Sequence, residues 1–299
     1  MPVPANSYTG VMARIADMLA RGRTYSFEFF PPKTEEAHEN LVQVIAELEP
    51  LEPSFVSVTY GAGGTTRRRT QELVSWIRRE TRITPMAHLT CQGHRRAEIA
   101  SILDDYSRDG IENILALGGD PPKDAIDEVP PSDYRYASEL LDDVLVGHRF
   151  SVGVAAHPEV HPRSPDRASD RRFLAAKLLR ADFAITQFFF DVGVYVRLCE
   201  ELHDLGVNKP VLPGIMPVTN KSQILTMARM SGAAFPTWLA DRLDGADDPD
   251  DVRRIGVDAA TALSRDLLDA GAPGLHFYTL NRSTATREIY ANLGLLDRQ

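Results

Sequence analysis

Eight short stretches of β-branched and aromatic residues recur along the chain, with helical patterning in the gaps between them. They lie at 25–30 (YSFEFF), 55–61 (FVSVTYG), 83–91 (ITPMAHLTC) and 113–120 (NILALGGD). Four more follow at 150–158 (FSVGVAAHP), 183–189 (FAITQFF), 210–218 (PVLPGIMPV) and 274–281 (GLHFYTLN). Most are separated by roughly 30 residues, the length of one strand–helix unit. Between the first two, Leu41, Val42, Val44, Ile45 and Leu48 share one helical face. Ile99, Ile102 and Leu103 do the same after the polar turn Gln92, Gly93, His94.

Strands alternating with helices imply a parallel sheet with right-handed crossovers. Eight units with no composition break or linker favour a single (β/α)8 TIM barrel over residues 1–299, with an open doubly wound sheet as the alternative. The interval from Val218 to Gly274 is too long for one helix. Breaks at 235–237 and 244–248 divide it into two or three extra helices between strands 7 and 8. The last of these starts at the cap Asp248 and Pro249, and Val252, Ile255, Ala259, Leu263 and Leu267 form its apolar stripe.

Charge narrows the partners. A formal net charge of −9 argues against a nucleic-acid backbone or an anionic membrane as the main partner. No apolar run reaches the roughly 20 residues that span a bilayer, and no basic flank precedes a long apolar segment at the start. Two distant cysteines, Cys91 and Cys199, make neither a disulfide framework nor a thiolate metal site. A cytoplasmic protein acting on a small molecule is expected. An oligomer is compatible with the sequence, since exposed barrel helices look alike in monomers and assemblies.

In such barrels the active site lies at the C-terminal strand ends, and the chemically capable residues fall there. Glu28 sits in the first strand among Phe27, Phe29 and Phe30, Thr59 and Tyr60 end the second, and His88 and Thr90 end the third. Asp120 ends the fourth, after Gly118 and Gly119; His157 and Glu159 follow the fifth, Gln187 lies in the sixth, and Asn281 and Arg282 end the eighth. A carboxylate among aromatic rings loses hydration, which disfavours its charged form and suits a general acid. The alternative for Glu28 is an interior carboxylate satisfied by a lysine or arginine. Asp120 is either a ligand contact in a tight turn or a helix cap. Arg282 either holds a ligand carboxylate or makes a structural ion pair. His157 and His161 are four apart, but Pro158 and Pro162 break the helix that a metal pair would need. The arginine runs at 67–69, 78–79 and 171–172 decorate solvated helix faces.

Together these segments resemble the methylenetetrahydrofolate reductases. The matching blocks are SFEFFPPKT at 26–34, FVSVTYGAGG at 55–64, AHLTC at 87–91, GIENILALGGDPP at 110–122 and YASEL at 136–140. VAAHPEVHP at 154–162, AITQFFFD at 184–191, LPGIMPV at 212–218 and HFYTLNR at 276–282 continue the series in order. The resemblance implies reduction of 5,10-methylenetetrahydrofolate to 5-methyltetrahydrofolate, with NADH or NADPH as hydride donor. It makes Glu28 the acid and Asp120 the anion that stabilises the N5 iminium. Substrate contacts would be Gln187, Arg282, Gln223 and Tyr60. Thr59, His88, Gly118, Gly119, His157 and Lys177 would face the nucleotide cofactor.

Most members of that family carry FAD, and this chain departs from them at the flavin contacts. Gly118 stands for an Arg before Gly–Asp, and His157 for a Tyr. In the helix after that loop, Phe173 and Ala176 replace an Asn and an Arg, while Asp170 and Lys177 are kept. Leu179–Ala181 replaces an Ala–Gly–Ala turn, and Met227 replaces a ring-stacking Phe. Charge-assisted hydrogen bonds contribute roughly 1.5–3 kcal/mol each, so losing two arginines and an amide weakens flavin binding by orders of magnitude. A flavin-free branch with direct hydride transfer is expected, the alternatives being ping-pong turnover through FAD and a non-catalytic folate-binding barrel. An aldolase is disfavoured, because no lysine ends a strand.

Overall fold

The computed structural model describes residues 13–61, 66–119, 132–147 and 150–296. Eight parallel strands close into a barrel in sequence order. They are β1 (Thr24–Phe29), β2 (Phe55–Val58), β3 (Pro85–Thr90), β4 (Asn113–Leu117), β5 (Ser151–Ala156), β6 (Phe183–Phe188), β7 (Val211–Ile215) and β8 (Gly274–Tyr278). The first strand pairs with the last, Glu28 opposite Tyr278, so the open-sheet alternative does not apply.

Among the described residues one helix, α1 (Ile15–Arg21), precedes β1. Six more follow the first six strands: α2 (Glu35–Leu48), α3 (Arg67–Glu80), α4 (Arg96–Arg108), α5 (Ala137–Leu145), α6 (Arg167–Leu178) and α7 (Val192–Asp204). Between β7 and β8 lie α8 (Lys221–Ser231), α9 (Thr237–Asp244) and α10 (Pro249–Asp269), and α11 (Thr284–Asn292) closes the chain. The extra helices are therefore three. Asp248 caps α10 as the sequence suggests, accepting from the Asp251 amide. Its buried face, however, is broader than the expected stripe and includes Gly256, Val257, Ala260 and Ser264. Gly256 is required there: a Cβ would lie 1.8 Å from the Val218 carbonyl oxygen. No helix among the described residues is long and apolar enough to cross a membrane.

The strands are shorter than the apolar stretches that announce them. Thr59, Tyr60, Gly118, Gly119 and His157 leave the ladder and enter the loops, which frees their backbone and side chains for the barrel mouth. Within each strand, alternate residues point inward. Phe55, Met86, Leu115, Phe183, Ile185 and Leu212 fill the interior as a small apolar cluster. Ile15, Met18 and Leu19 of α1 pack on it. The sequence reading gave no role to α1, which seals the N-terminal end of the barrel. Two polar side chains at the strand starts hold it: Asn113 Oδ1 accepts from the Ile15 amide at 2.8 Å, and Ser151 Oγ from the Ala16 amide at 3.0 Å.

Asn113 is buried, and its loss leaves the first-turn amide of α1 without an acceptor. Asn113→Ala is expected to cost about 1–3 kcal/mol, read as a lower urea midpoint with unchanged slope; an unchanged midpoint would show that α1 contributes nothing to the closed barrel.

Candidate active site

Glu28 is the inward-facing residue near the top of β1, 7% exposed. Its flanking aromatics do not surround it. Phe27 packs outward against Phe277 and Tyr290, with ring centroids 6.2 and 5.4 Å away, as the period of two demands. The carboxyl instead meets polar groups from three strands. Oε2 lies 3.4 Å from Ser57 Oγ on β2, 3.4 Å from His88 Nε2 on β3 and 3.5 Å from His276 Nε2 on β8. No lysine or arginine reaches it among the described residues. Thr279 Oγ1 donates to the Glu28 carbonyl at 2.6 Å and holds the strand end.

His88 is fully enclosed. Burial pushes its imidazole down to about 4, against a smaller opposing pull from Glu28, so the ring is neutral at pH 7. Beside it, Cys91 Sγ donates to the Gly118 carbonyl, and burial raises that thiol to about 11. Gly119 has φ +80°, and a Cβ there would fall 2.9 Å from Thr90 Cβ, so the turn requires glycine. Asp120, which follows, lies outside the described residues. At the end of β2, Tyr60 is hydrogen bonded to His94 Nε2 at 3.0 Å, and burial raises its phenol well above the ordinary value. Thr59 is half-buried, with its carbonyl accepting from Thr70.

The β5 side is built around Arg171. Its guanidinium bonds Glu201, Asp170 and the carbonyls of His157, Pro158 and Glu159, and the side chain is buried. The expectation that it decorates a solvated face is wrong: it pins the loop after β5. His157 stacks edge-on against His161 at 4.4 Å, and burial lowers it to about 4. Lys177 turns its Nζ onto the Ala155 carbonyl at 3.4 Å, and burial lowers its ammonium. Phe173 is 61% exposed, and Ala176 is exposed beside it.

Across the mouth, Gln187 is half-buried and its Oε1 accepts from the Phe188 amide. Tyr278 donates to the Thr186 carbonyl at 2.6 Å, reaching across β7 where Gly214 has no side chain. A Cβ on Gly214 would fall 2.6 Å from the Tyr278 ring. Gln223 and Met227 line a cleft with Met216, Pro217 and Leu280. Leu280 and Asn281 both adopt left-handed backbone, φ 52° and 56°. The Asn281 amide clamps both backbone groups of Phe30, at 2.8 and 2.9 Å. Arg282 next to it is exposed, and no carboxylate pairs with it among the described residues.

A family model described as methylenetetrahydrofolate reductase matches residues 12–294. The chain belongs to that family. The 5,10-methylenetetrahydrofolate reductase of Escherichia coli is 38% identical over 273 residues, 90% of each chain. The Arabidopsis thaliana protein named methylenetetrahydrofolate reductase (NADH) 1 is 34% identical over 96% of this chain and 51% of its own length. Among solved structures, an uncharacterised protein from Clostridium thermocellum that binds two copies of 5-methyl-5,6,7,8-tetrahydrofolic acid superposes with a TM-score of 0.67. It covers 94% of this chain and 97% of its own at 16% identity, a likeness of fold. As a member of the reductase family the chain is an oxidoreductase of folate-linked one-carbon metabolism.

For this reductase, His276 and Tyr278 are the interior residues that sequence reasoning passed over. The signal was present: Ser26 with Glu28, and His276 with Tyr278, are polar pairs two apart on strands that neighbour each other in a closed barrel.

His88 and His157 are neutral in the fold and protonate near pH 4, whereas unfolded imidazoles protonate near 6.5. Acidification from 6.5 toward 4 therefore favours the unfolded chain, and above 6.5 the penalty is absent. His88 alone accounts for up to about 3 kcal/mol of that loss. Urea midpoints of the parent should fall steeply across this window, and His88→Gln should flatten the fall; parallel curves for the two proteins would rule the account out.

Proposed function

We propose that the chain reduces 5,10-methylenetetrahydrofolate to 5-methyltetrahydrofolate by direct hydride transfer from NADH or NADPH in a ternary complex without bound flavin, residues 1–299 acting as one catalytic domain. The observation that carries the reading is Glu28: a carboxyl buried at the C-terminal end of the barrel, with no lysine or arginine paired to it among the described residues. The methylene bridge must open before it accepts hydride. Glu28 supplies the proton: its O–H bond breaks, an N10–H bond forms, and the carbon–N10 bond opens to an N5 iminium. Hydride from the nicotinamide then completes the methyl group, and solvent returns the proton to Glu28.

Asp120, as an anion at the end of β4, stabilises the iminium. Gln187 offers a donor and an acceptor to the pterin edge, with Tyr60 and Gln223 as further substrate contacts. Arg282 stands exposed at the mouth to hold the glutamate carboxylate of folate. Thr59, His88, Gly118, Gly119, His157 and Lys177 form the side on which the nicotinamide nucleotide lies. The relative whose name carries NADH supports a nicotinamide donor.

The residues present do not suit FAD. On α6, Phe173 and Ala176 occupy the positions where a diphosphate would need an amide and a guanidinium. Arg171, one residue position away from use, is saturated by two carboxylates and three carbonyls. Lys177 is drawn inward to a carbonyl.

Glu28→Gln should lower kcat on the order of 10²–10⁴-fold while folate binding stays near that of the parent. The parent protein should show no flavin absorption band and should give intersecting initial-velocity lines with folate and NADH. Stoichiometric flavin with parallel lines would instead establish ping-pong turnover, and an active Glu28→Gln would remove the acid from the scheme.

A further inference from the structure

We infer that His276 is a positioning residue for Glu28, held by Ser26 and Phe55 so that its Nε2 fixes the carboxyl in the orientation that donates a proton; this rests on the acid reading above. The imidazole is completely buried. Ser26 Oγ lies 2.8 Å from its Nδ1, Phe55 stacks on its face at 6.0 Å and 17°, and Tyr278 meets it edge-on at 5.4 Å. A ring restrained on one nitrogen, one face and one edge has no freedom to turn. Its other nitrogen therefore points in one direction only, toward Glu28 Oε2 at 3.5 Å and Ser57 Oγ at 3.4 Å.

The hydrogen inventory shows what this ring does. Glu28 Oε2, Ser57 Oγ and His276 Nε2 form a triangle with sides of 3.4, 3.4 and 3.5 Å. Ser57 brings one proton and cannot satisfy both neighbours. Ser26 Oγ also lies 3.4 Å from the Leu275 carbonyl. When Ser26 donates there, it accepts from His276 Nδ1–H, and Nε2 is left as a bare acceptor facing Oε2. A proton on Oε2 then completes the set, which is the state an acid needs. When Ser26 turns its hydroxyl to Nδ1 instead, the ring carries its proton on Nε2 and donates to the carboxylate. Either ring tautomer thus leaves Nε2 bonded to the carboxyl, accepting from the acid or donating to the carboxylate, and so holds its orientation.

The other groups facing Glu28 do not duplicate this. His88 on β3 approaches the same oxygen at 3.4 Å, but its Nε2 makes no hydrogen bond. Tyr278 on β8 spends its hydroxyl on the Thr186 carbonyl. Ser57 on β2 has only its single proton.

Two substitutions distinguish the nitrogens. His276→Gln keeps a polar group where Nε2 stood, and His276→Asn keeps one only where Nδ1 stood. His276→Asn should lower kcat on the order of 10²-fold, the scale of a misplaced reacting group, with the folate KM within roughly threefold of the parent. His276→Gln should recover most of that loss. The limb of the kcat–pH profile that reports the acid should shift in His276→Asn, and in Ser26→Ala, which removes the anchor with little change of volume. On a Glu28→Gln background His276→Asn should cost nothing further, as expected of residues that act as one unit. If kcat and KM deteriorate together with an unshifted profile, or if Gln and Asn behave alike, His276 is merely structural. A crippled Glu28→Gln beside undiminished His276→Asn and Ser26→Ala overturns this inference alone; full turnover by Glu28→Gln overturns the acid reading and the inference with it.

Discussion

A carboxyl group enclosed in a barrel, with no cation paired to it among the described residues, is the constraint around which the rest of this site is arranged. Burying an ionisable group in low dielectric is costly unless each of its lone pairs and protons finds a partner. Glu28 has the Ser57 hydroxyl in hydrogen-bond reach and the His276 and His88 rings within 3.5 Å, although His88 Nε2 makes no hydrogen bond. A lysine or arginine would satisfy the anion better, and for that reason would hold it as an anion.

That pocket rests on an apolar, packed layer. Large apolar side chains fill the middle of the barrel, and α1 covers its N-terminal end through Asn113 and Ser151. The described residues below Glu28 are apolar and packed, and the carboxyl lies toward the C-terminal strand ends. The same economy of space operates on the far wall. Gly214 gives up a side chain so that the Tyr278 ring can cross to the Thr186 carbonyl. The crossing ring in turn braces His276 edge-on. Packing at β7 and proton handling at β1 are thus parts of one arrangement, although no residue of β7 touches the acid.

Most of the fold was legible because strands in a parallel barrel are buried on both faces and read as short apolar runs. The eight runs all became strands, and the three extra helices fell where Pro and Gly breaks placed them. Strand ends were less legible, since apolar residues continue past the last ladder bond into the mouth, as at Thr59 and Tyr60. Glu28 does face the interior, but not for the reason its sequence neighbours suggested. Sequence neighbours suggested an aromatic surround, but neighbours in a strand face opposite ways, and the real surround comes from other strands. His276 was passed over for the same cause: its importance depends on closure between β1 and β8, which is 250 residues of separation that no local pattern encodes. Arg171 looked like a surface residue because a charged run on a helix usually is one.

The burial of Arg171 also sets what α6 does in this fold. In a helix whose guanidinium and amide groups bind a diphosphate, exposed positions are tied to the ligand. Here the one buried guanidinium faces inward, tying α6 to α7 through Glu201 and to the loop after β5 through three carbonyls. The helix is then anchored by its own protein contacts, and its outer face carries no ligand duty that the structure requires. Phe173, which stands out into solvent, and Ala176 next to it cost nothing in such a place. The same contacts keep His157 against His161 at the edge of the mouth, so this part of the loop is shaped by the protein's own bonds.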